Sequence, residues 1–171
     1  HSSRQMKGMT TTSPGRPKGR PRKFDESRAL NAALELFWRN GYESASLVQL
    51  CGAMEINAPS LYAAFGSKAG LFMRAVRHYE QTYWQEPARR FLEEPDIFTA
   101  VGGFFRESAE ILTDRDAPCG CLIVLAAVNI DEKERDISAL VKGLRTETRD
   151  MFRLRLDRAL QDGQIPPGSN T

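Results

Sequence analysis

The run from Asn57 to Phe72, N-A-P-S-L-Y-A-A-F-G-S-K-A-G-L-F, constrains this chain more than any other stretch. Asn57 can cap a helix start, and Pro59 falls in the first turn, where its missing N–H would have no partner anyway. The helix must be short, because Gly66 stops it and Ser67 caps a new one carrying Lys68 in its first turn. Leu61 and Phe65, four apart, share a face that can reach a core. Ala58, Ser60, Tyr62 and Ala63 are left looking outward. A stubby helix showing small groups and one Tyr, with a Lys close by, suits insertion into a DNA groove.

The preceding residues supply a partner. Ser46-Leu47-Val48-Gln49 is a capping box, in which hydroxyl and amide each satisfy an orphan backbone group. Leu47, Leu50, Cys51 and Met54 recur at i, i+3, i+4 and i+7, one buried stripe. Only Glu55 and Ile56 separate that stripe from the Asn57 cap. Two short helices joined so tightly predict a helix-turn-helix. Upstream, Leu30, Ala33, Leu34 and Phe37 form a third stripe, closed by Asn40-Gly41 as a C-cap, that can cover the back of the pair.

With these residues in view, the segment from about Gly15 to Phe72 resembles the DNA-binding domain of the TetR/AcrR family of bacterial transcriptional regulators. The resemblance rests on A-L-E-L-F-W-R-N-G-Y-E-S-A-S-L-V-Q-L and I-N-A-P-S-L-Y-A-A-F-G-S-K-A-G-L-F. It implies a DNA-binding regulator, most commonly a repressor, acting as a homodimer on a double-stranded operator and released by an effector. It also implies a backbone contact for Tyr62. Two positions depart from the family pattern: Glu55 stands where Gly is usual in the turn, and Ala64 where His often precedes the Phe. A non-Gly residue in a left-handed turn costs on the order of 1 kcal/mol.

Within the motif, Ser46 can bond a phosphate as well as cap its helix. Lys68 sits where the helix dipole disfavours a cation, a conflict that a phosphate would remove. Asn57, Ala58, Pro59 and Ser60 are candidates for base edges, with Ala58 or Ala63 against a thymine methyl. Leu50, Met54, Leu61 and Phe65 read as core, with Cys51 beside them.

Charge is distributed unevenly. Before Asp25 there are seven Lys/Arg and no acid; from Asp25 to Leu71 there are three basic residues against five acidic. The helix-turn-helix is not basic, so attraction to phosphate falls to the arm, to Lys68 and to helix N-termini. Residues 1–24 form that arm, with two Gly-Arg-Pro units four residues apart at Gly15 and Gly19. Their extended backbone suits Arg16 and Arg20 to a narrow minor groove, as in an AT-hook core, with Arg22 and Lys23 following. A solubilising tail is the plainer reading of such a run.

Residues 25–70 are expected to be the DNA-binding domain and 71–171 an all-α domain for effector and dimerisation. A stripe from Leu71 through Phe72, Ala75, Val76, Tyr79 and Tyr83 gives a helix interrupted at Pro87 and again at Glu94-Pro95-Asp96. Asp96 caps a helix with Ile97, Val101, Phe104, Phe105, Ile111 and Leu112 on an apolar face. Gly120 to Ala127 reads as a central buried helix, and Ile137 to Leu160 as a long amphipathic one. The sequence reaches Pro166-Pro167 before any further apolar stripe, so the family's last, dimer-forming helices are expected to be missing from it. His1-Ser2-Ser3 reads as an expression remnant, with a start at Met6 or Met9.

Cys119-Gly120-Cys121 is the reactive-looking feature. Its spacing is wrong for zinc, and His78 is the sole His besides His1, so no metal or cofactor is expected. A Gly-Cys-Leu run here resembles family members that sense electrophiles or oxidants. An apolar effector would lie among Tyr83, Trp84, Phe91, Phe98, Phe104, Phe105 and Cys121, although aromatic residues at helical spacing also make plain core. Three Cys without a framework suit a reducing cytoplasm, no apolar run is long enough for a membrane span, and the basic, polar N-terminus is not expected to be a signal peptide. Without convergent titratable groups or a phosphate loop, no enzyme is expected. A helical protein–protein adaptor is the competing reading.

Deleting residues 1–23 should weaken duplex binding and flatten its salt dependence. The slope of log K against log salt falls by about 0.9 for each phosphate that the shortened protein no longer neutralises. Fluorescence anisotropy of full-length and truncated protein across a salt series measures it, and equal slopes would exclude any role of the arm on the duplex.

Overall fold

The computed structural model describes residues 25–131 and 133–171. Every regular element among them is helical. Helix α1, Glu26–Ser44, starts at Asp25, whose Oδ1 accepts the Arg28 N–H at 3.2 Å. Its Ala29, Leu30, Ala33, Leu34, Phe37 and Trp38 turn inward. Gly41 breaks the helical path with φ 77 and ψ 168, as the Asn40-Gly41 signal predicts, and a last turn carries Tyr42 back into the core. Helix α2, Leu47–Met54, has both bonds of the Ser46/Gln49 capping box. Helix α3, Ala58–Phe65, follows, and α4, Lys68–Tyr79, starts at the Ser67 cap. Helix α1 packs along α4 and against α2, with Phe37 edge-on to Phe72 at 4.9 Å.

Pro87 does not interrupt the chain as expected. A π-helical turn, Glu80–Trp84, widens the path ahead of it, and α5 runs on as Gln85–Glu93. The wider turn leaves room for a ring that would clash with the carbonyl one α-turn earlier, and it tolerates the missing donor. The second expected break is present at Glu94, which Pro95 holds extended at ψ 122. Carbonyls freed there are taken by the last long helix, α8, Arg135–Gln161, and the turn after it. Arg155 Nη2 donates to Glu94 O at 2.8 Å and to Pro95 O at 3.0 Å, and Gln164 Nε2 to Pro95 O at 2.9 Å. Arg155 is fully buried, and desolvation pulls its pKa down.

Helix α6, Ile97–Leu112, begins at Asp96, whose carboxylate accepts the Thr99 N–H at 2.7 Å. Its apolar face is less covered than the sequence suggests: only Ile97 and Ala100 are buried. Helix α7, Leu122–Asn129, lies against α1, α4 and α8. It is not the wholly buried helix expected. Leu122, Ile123 and Ala126 face inward, while Val124 and Leu125 are 58% and 41% exposed. A helix covered on one side buries one side, however apolar its sequence. The buried face joins Ile137 and Val141 of α8 to the core of α1–α4. No helix among the described residues is long and apolar enough to cross a membrane.

Glu80, in the π turn, is half-buried and faces Glu147, so burial and then that carboxylate push its pKa up to about 7. The folded state therefore holds a proton that the unfolded chain releases near pH 4.5. The stability this proton confers is complete at low pH and is lost as pH climbs through 7. Glu80→Gln should match wild type near pH 4 and exceed it at pH 8 by about 1–2 kcal/mol, discounted for residual solvent contact. Urea unfolding at the two pH values measures the difference.

Candidate nucleic-acid interface

The outward face of α3 is built by its two anchors. Leu61 is 0% and Phe65 7% exposed, and with them inside, Asn57, Ala58, Pro59, Ser60, Tyr62, Ala63 and Ala64 all lie at the surface. Asn57 Oδ1 accepts the Ser60 N–H at 2.9 Å, so capping uses the oxygen and leaves the amide N–H groups as donors for a base or phosphate. Ser46 Oγ accepts the Gln49 N–H at 3.2 Å, so capping uses its lone pair and its O–H can still meet a phosphate. Capping and contact are compatible at both residues.

The turn between α2 and α3 carries Glu55 in the left-handed region, φ 56 and ψ 38. Its N–H reaches Gly52 O at 3.3 Å and the Ile56 N–H reaches Cys51 O at 3.1 Å, closing the helix end as glycine would. Arg28 Nη2 sits 3.1 Å from Glu55 Oε2, but both side chains are mostly in water, so the pair offsets little of the backbone cost. Asp25, Arg28, Glu55, Asn57, Ser60 and Ala63 line an open groove of about 650 Å³ beside α3. Arg16, Arg20, Arg22 and Lys23 fall outside the described residues.

Lys68 has protein partners of its own. Nζ donates to Glu43 O at 3.3 Å and stands 4.5 Å over the Tyr42 ring. These contacts relieve the dipole conflict even without DNA. Tyr42 in turn donates to Glu134 Oε1 at 3.0 Å, just ahead of α8, and burial followed by that carboxylate raises its pKa. Val48, 83% exposed on α2, is a surface residue that the stripe pattern alone does not single out. Its signal is a β-branched side chain standing off the apolar stripe.

Away from this face, the predicted effector residues divide. Tyr83 and Trp84 join Trp38 and Tyr79, with Trp38 edge-on to Tyr79 at 4.8 Å and to Tyr83 at 5.3 Å. Phe91 and Phe104 meet at 5.3 Å, pack on Phe152 and line a groove of about 340 Å³ between α5 and α6. Trp84 and Phe104, 6.3 Å apart, link the two groups. Phe98 does not belong with them: the second residue of α6, it points to solvent at 71% exposure. Phe105 touches Phe104 and Phe152 only at the rim and is 60% exposed. Cys121 is half-buried at the N-cap of α7, and Cys119 is exposed. The helix therefore starts at Leu122 with Cys121 as its N-cap, beyond the Gly120 expected from sequence. Trp38, Tyr79 and Phe152 complete these two aromatic groups without being singled out by the sequence.

Two short capped helices in tight sequence, the second with an uncovered face, define a DNA-binding protein of the helix-turn-helix class. The model for bacterial regulatory proteins of the tetR family matches residues 29–75. The HTH-type transcriptional repressor ComR of Escherichia coli (strain K12) is 34% identical over 152 residues, covering 88% of this chain and 72% of that protein. The repressor BdcR of the same strain is 33% identical over 130 residues, 76% of this chain and 66% of its own. Among solved structures, a cysteine mutant of the TetR family regulator CifR with 26-bp double-strand operator DNA has a TM-score of 0.82 at 38% identity. The match covers 88% of this chain and 79% of that one. The chain belongs to the TetR family of bacterial transcriptional regulators.

Glu55→Gly should raise stability by about 0.5–1 kcal/mol by removing the left-handed penalty. It also removes a carboxylate beside α3, so duplex affinity should rise about two- to fivefold at low salt. Thermal melts and anisotropy titrations check the two effects separately.

Proposed function

We propose that this chain is a repressor that grips an operator through the outward face of α3 and is released by an effector or a thiol-reactive compound. The exposed face from Asn57 to Ala64, held out by the burial of Leu61 and Phe65, carries the reading. Asn57, Ala58, Pro59 and Ser60 approach base edges, while Ser46, Tyr62 and Lys68 hold phosphates. Arg16, Arg20, Arg22 and Lys23 add the charge that the motif lacks. CifR is bound to operator DNA in its solved complex, and ComR and BdcR are named repressors, which supports the same role here. A palindromic operator with half-sites about 34–36 Å apart requires two copies of the chain.

For the effector, Tyr83, Trp84, Phe91 and Phe104 remain the candidates; Cys119 and Cys121 are the candidates for thiol chemistry. Phe98 and Phe105 leave that set because they face solvent. The uncovered α3 face argues for duplex rather than a protein partner, since it is small, shallow and poor in large apolar groups.

Random duplex fragments retained by the protein and sequenced should converge on a site with two-fold symmetry. Tyr62→Ala and Lys68→Ala should each weaken binding to that site about three- to thirtyfold, without changing which bases are preferred. Lys68→Ala should also lower the salt slope by about 0.9. Failure to retain any duplex at low salt would sink the repressor reading and leave the adaptor.

A further inference from the structure

The open groove beside α3 takes Asp25 and Arg28 from the start of α1 and Glu55 and Ile56 from the turn after α2; Asn57, Ser60 and Ala63 of the outward face complete it. A helix lying in a major groove has a sugar–phosphate strand on either side. Ser46, Tyr62 and Lys68 do not line this groove, so a strand running along it would find no holder among them. Among the described residues that line it, Arg28 is the sole cation, beside the carboxylates of Asp25 and Glu55. Asp25 is committed to its cap, where Oδ1 accepts the Arg28 main-chain N–H at 3.2 Å. Glu55 takes the guanidinium, Nη2 donating to Oε2 at 3.1 Å, with the two side chains 71% and 62% exposed. That bond engages one nitrogen of a fork that a phosphate can accept through two.

Resting on the duplex reading in the proposed function, we propose that Arg28 is a further phosphate contact, on the strand along this groove, and that it exchanges Glu55 for that phosphate when the duplex binds. An ion pair this exposed is screened and weak, whereas a strand presents a dense row of negative charge, so the exchange runs towards the phosphate. The turn survives it, because Glu55 closes α2 through its main-chain N–H to Gly52 O at 3.3 Å, not through its carboxylate. The freed carboxylate then faces the strand and opposes its approach. That opposition is the same on any base sequence, so Glu55 lowers affinity overall and leaves the choice of bases to α3.

The test uses the full chain and the duplex selected from random fragments. Arg28→Ala should fold, since the cap uses the main-chain N–H and the side chain is exposed. It should bind about three- to tenfold more weakly, with a salt slope lower by about 0.9 and the same base preference. Glu55→Gln keeps a non-Gly residue in the left-handed turn and removes only the charge; it should bind about two- to fivefold more tightly at low salt. Arg28→Ala made in the Glu55→Gln protein should still lower the slope, which separates the lost contact from the carboxylate left behind. A neutral methylphosphonate placed at one phosphate at a time locates the contact: one position should weaken the parent and leave Arg28→Ala unaffected. If both proteins lose equally at every position, Arg28 touches no phosphate and the inference is overturned while the duplex reading stands. If Glu55→Gln binds no more tightly than the parent, Glu55 is no competitor and the exchange is overturned. Retention of no duplex at low salt removes the duplex reading and this inference with it.

Discussion

The contact between α1 and α4 is the constraint from which the exposed face of α3 follows. An eight-residue helix is too short to persist alone in water, so α3 exists because Leu61 and Phe65 are buried. Helix α3 rests on α4 and α2, and behind them α1 and α4 are locked where Phe37, Phe72 and Tyr42 pack ring against ring at 4.9 to 6.2 Å. Because that core is filled from behind, the small residues of α3 cannot turn inward, and they stay available to a groove. The arrangement separates what holds the helix from what the helix shows.

The electrostatics have a similar division. A motif with three basic residues against five acidic would repel a duplex at long range, whereas seven positive charges precede it. The short side chains exposed on α3 add no charge of their own to that balance. Lys68 fits this scheme in a particular way. Its ammonium rests on the Tyr42 ring and the Glu43 carbonyl, so its position is set within the protein and little side-chain entropy remains to be lost.

What could be read from sequence follows from how local the physics is. Ser46 with Gln49, Asn57 with Ser60, Ser67 with Gly70 and Asp96 with Thr99 form their caps within three residues, and the structure has all four. Glu55 was legible as a strained position through the resemblance, which puts Gly in that turn. The π turn was not, because its cause, Pro87, lies beyond the turn that absorbs it, and a proline in a helical pattern ordinarily signals an end. Phe98 and Phe105 were misplaced because composition tells how apolar α6 is, not which neighbours reach it. Trp38 and Gly120 are 82 residues apart, and no periodicity connects them.

The second half of the chain is tied to the first through polar points set in an apolar seam. Helix α7 presents Leu122, Ile123 and Ala126 to the core it shares with α1–α4, an area of contact that tolerates small slides. Apolar packing alone is non-directional and gives no sharp register between the halves. The Trp38 bond to Gly120 and the Tyr42 bond to Glu134 do give one, since each is directional and weakens steeply as its angle closes. They lie at opposite ends of the seam in sequence terms, one ahead of α7 and one ahead of α8. A displacement that preserved the apolar contact would still have to break one of them. The two bonds therefore fix the register that the apolar contact leaves loose.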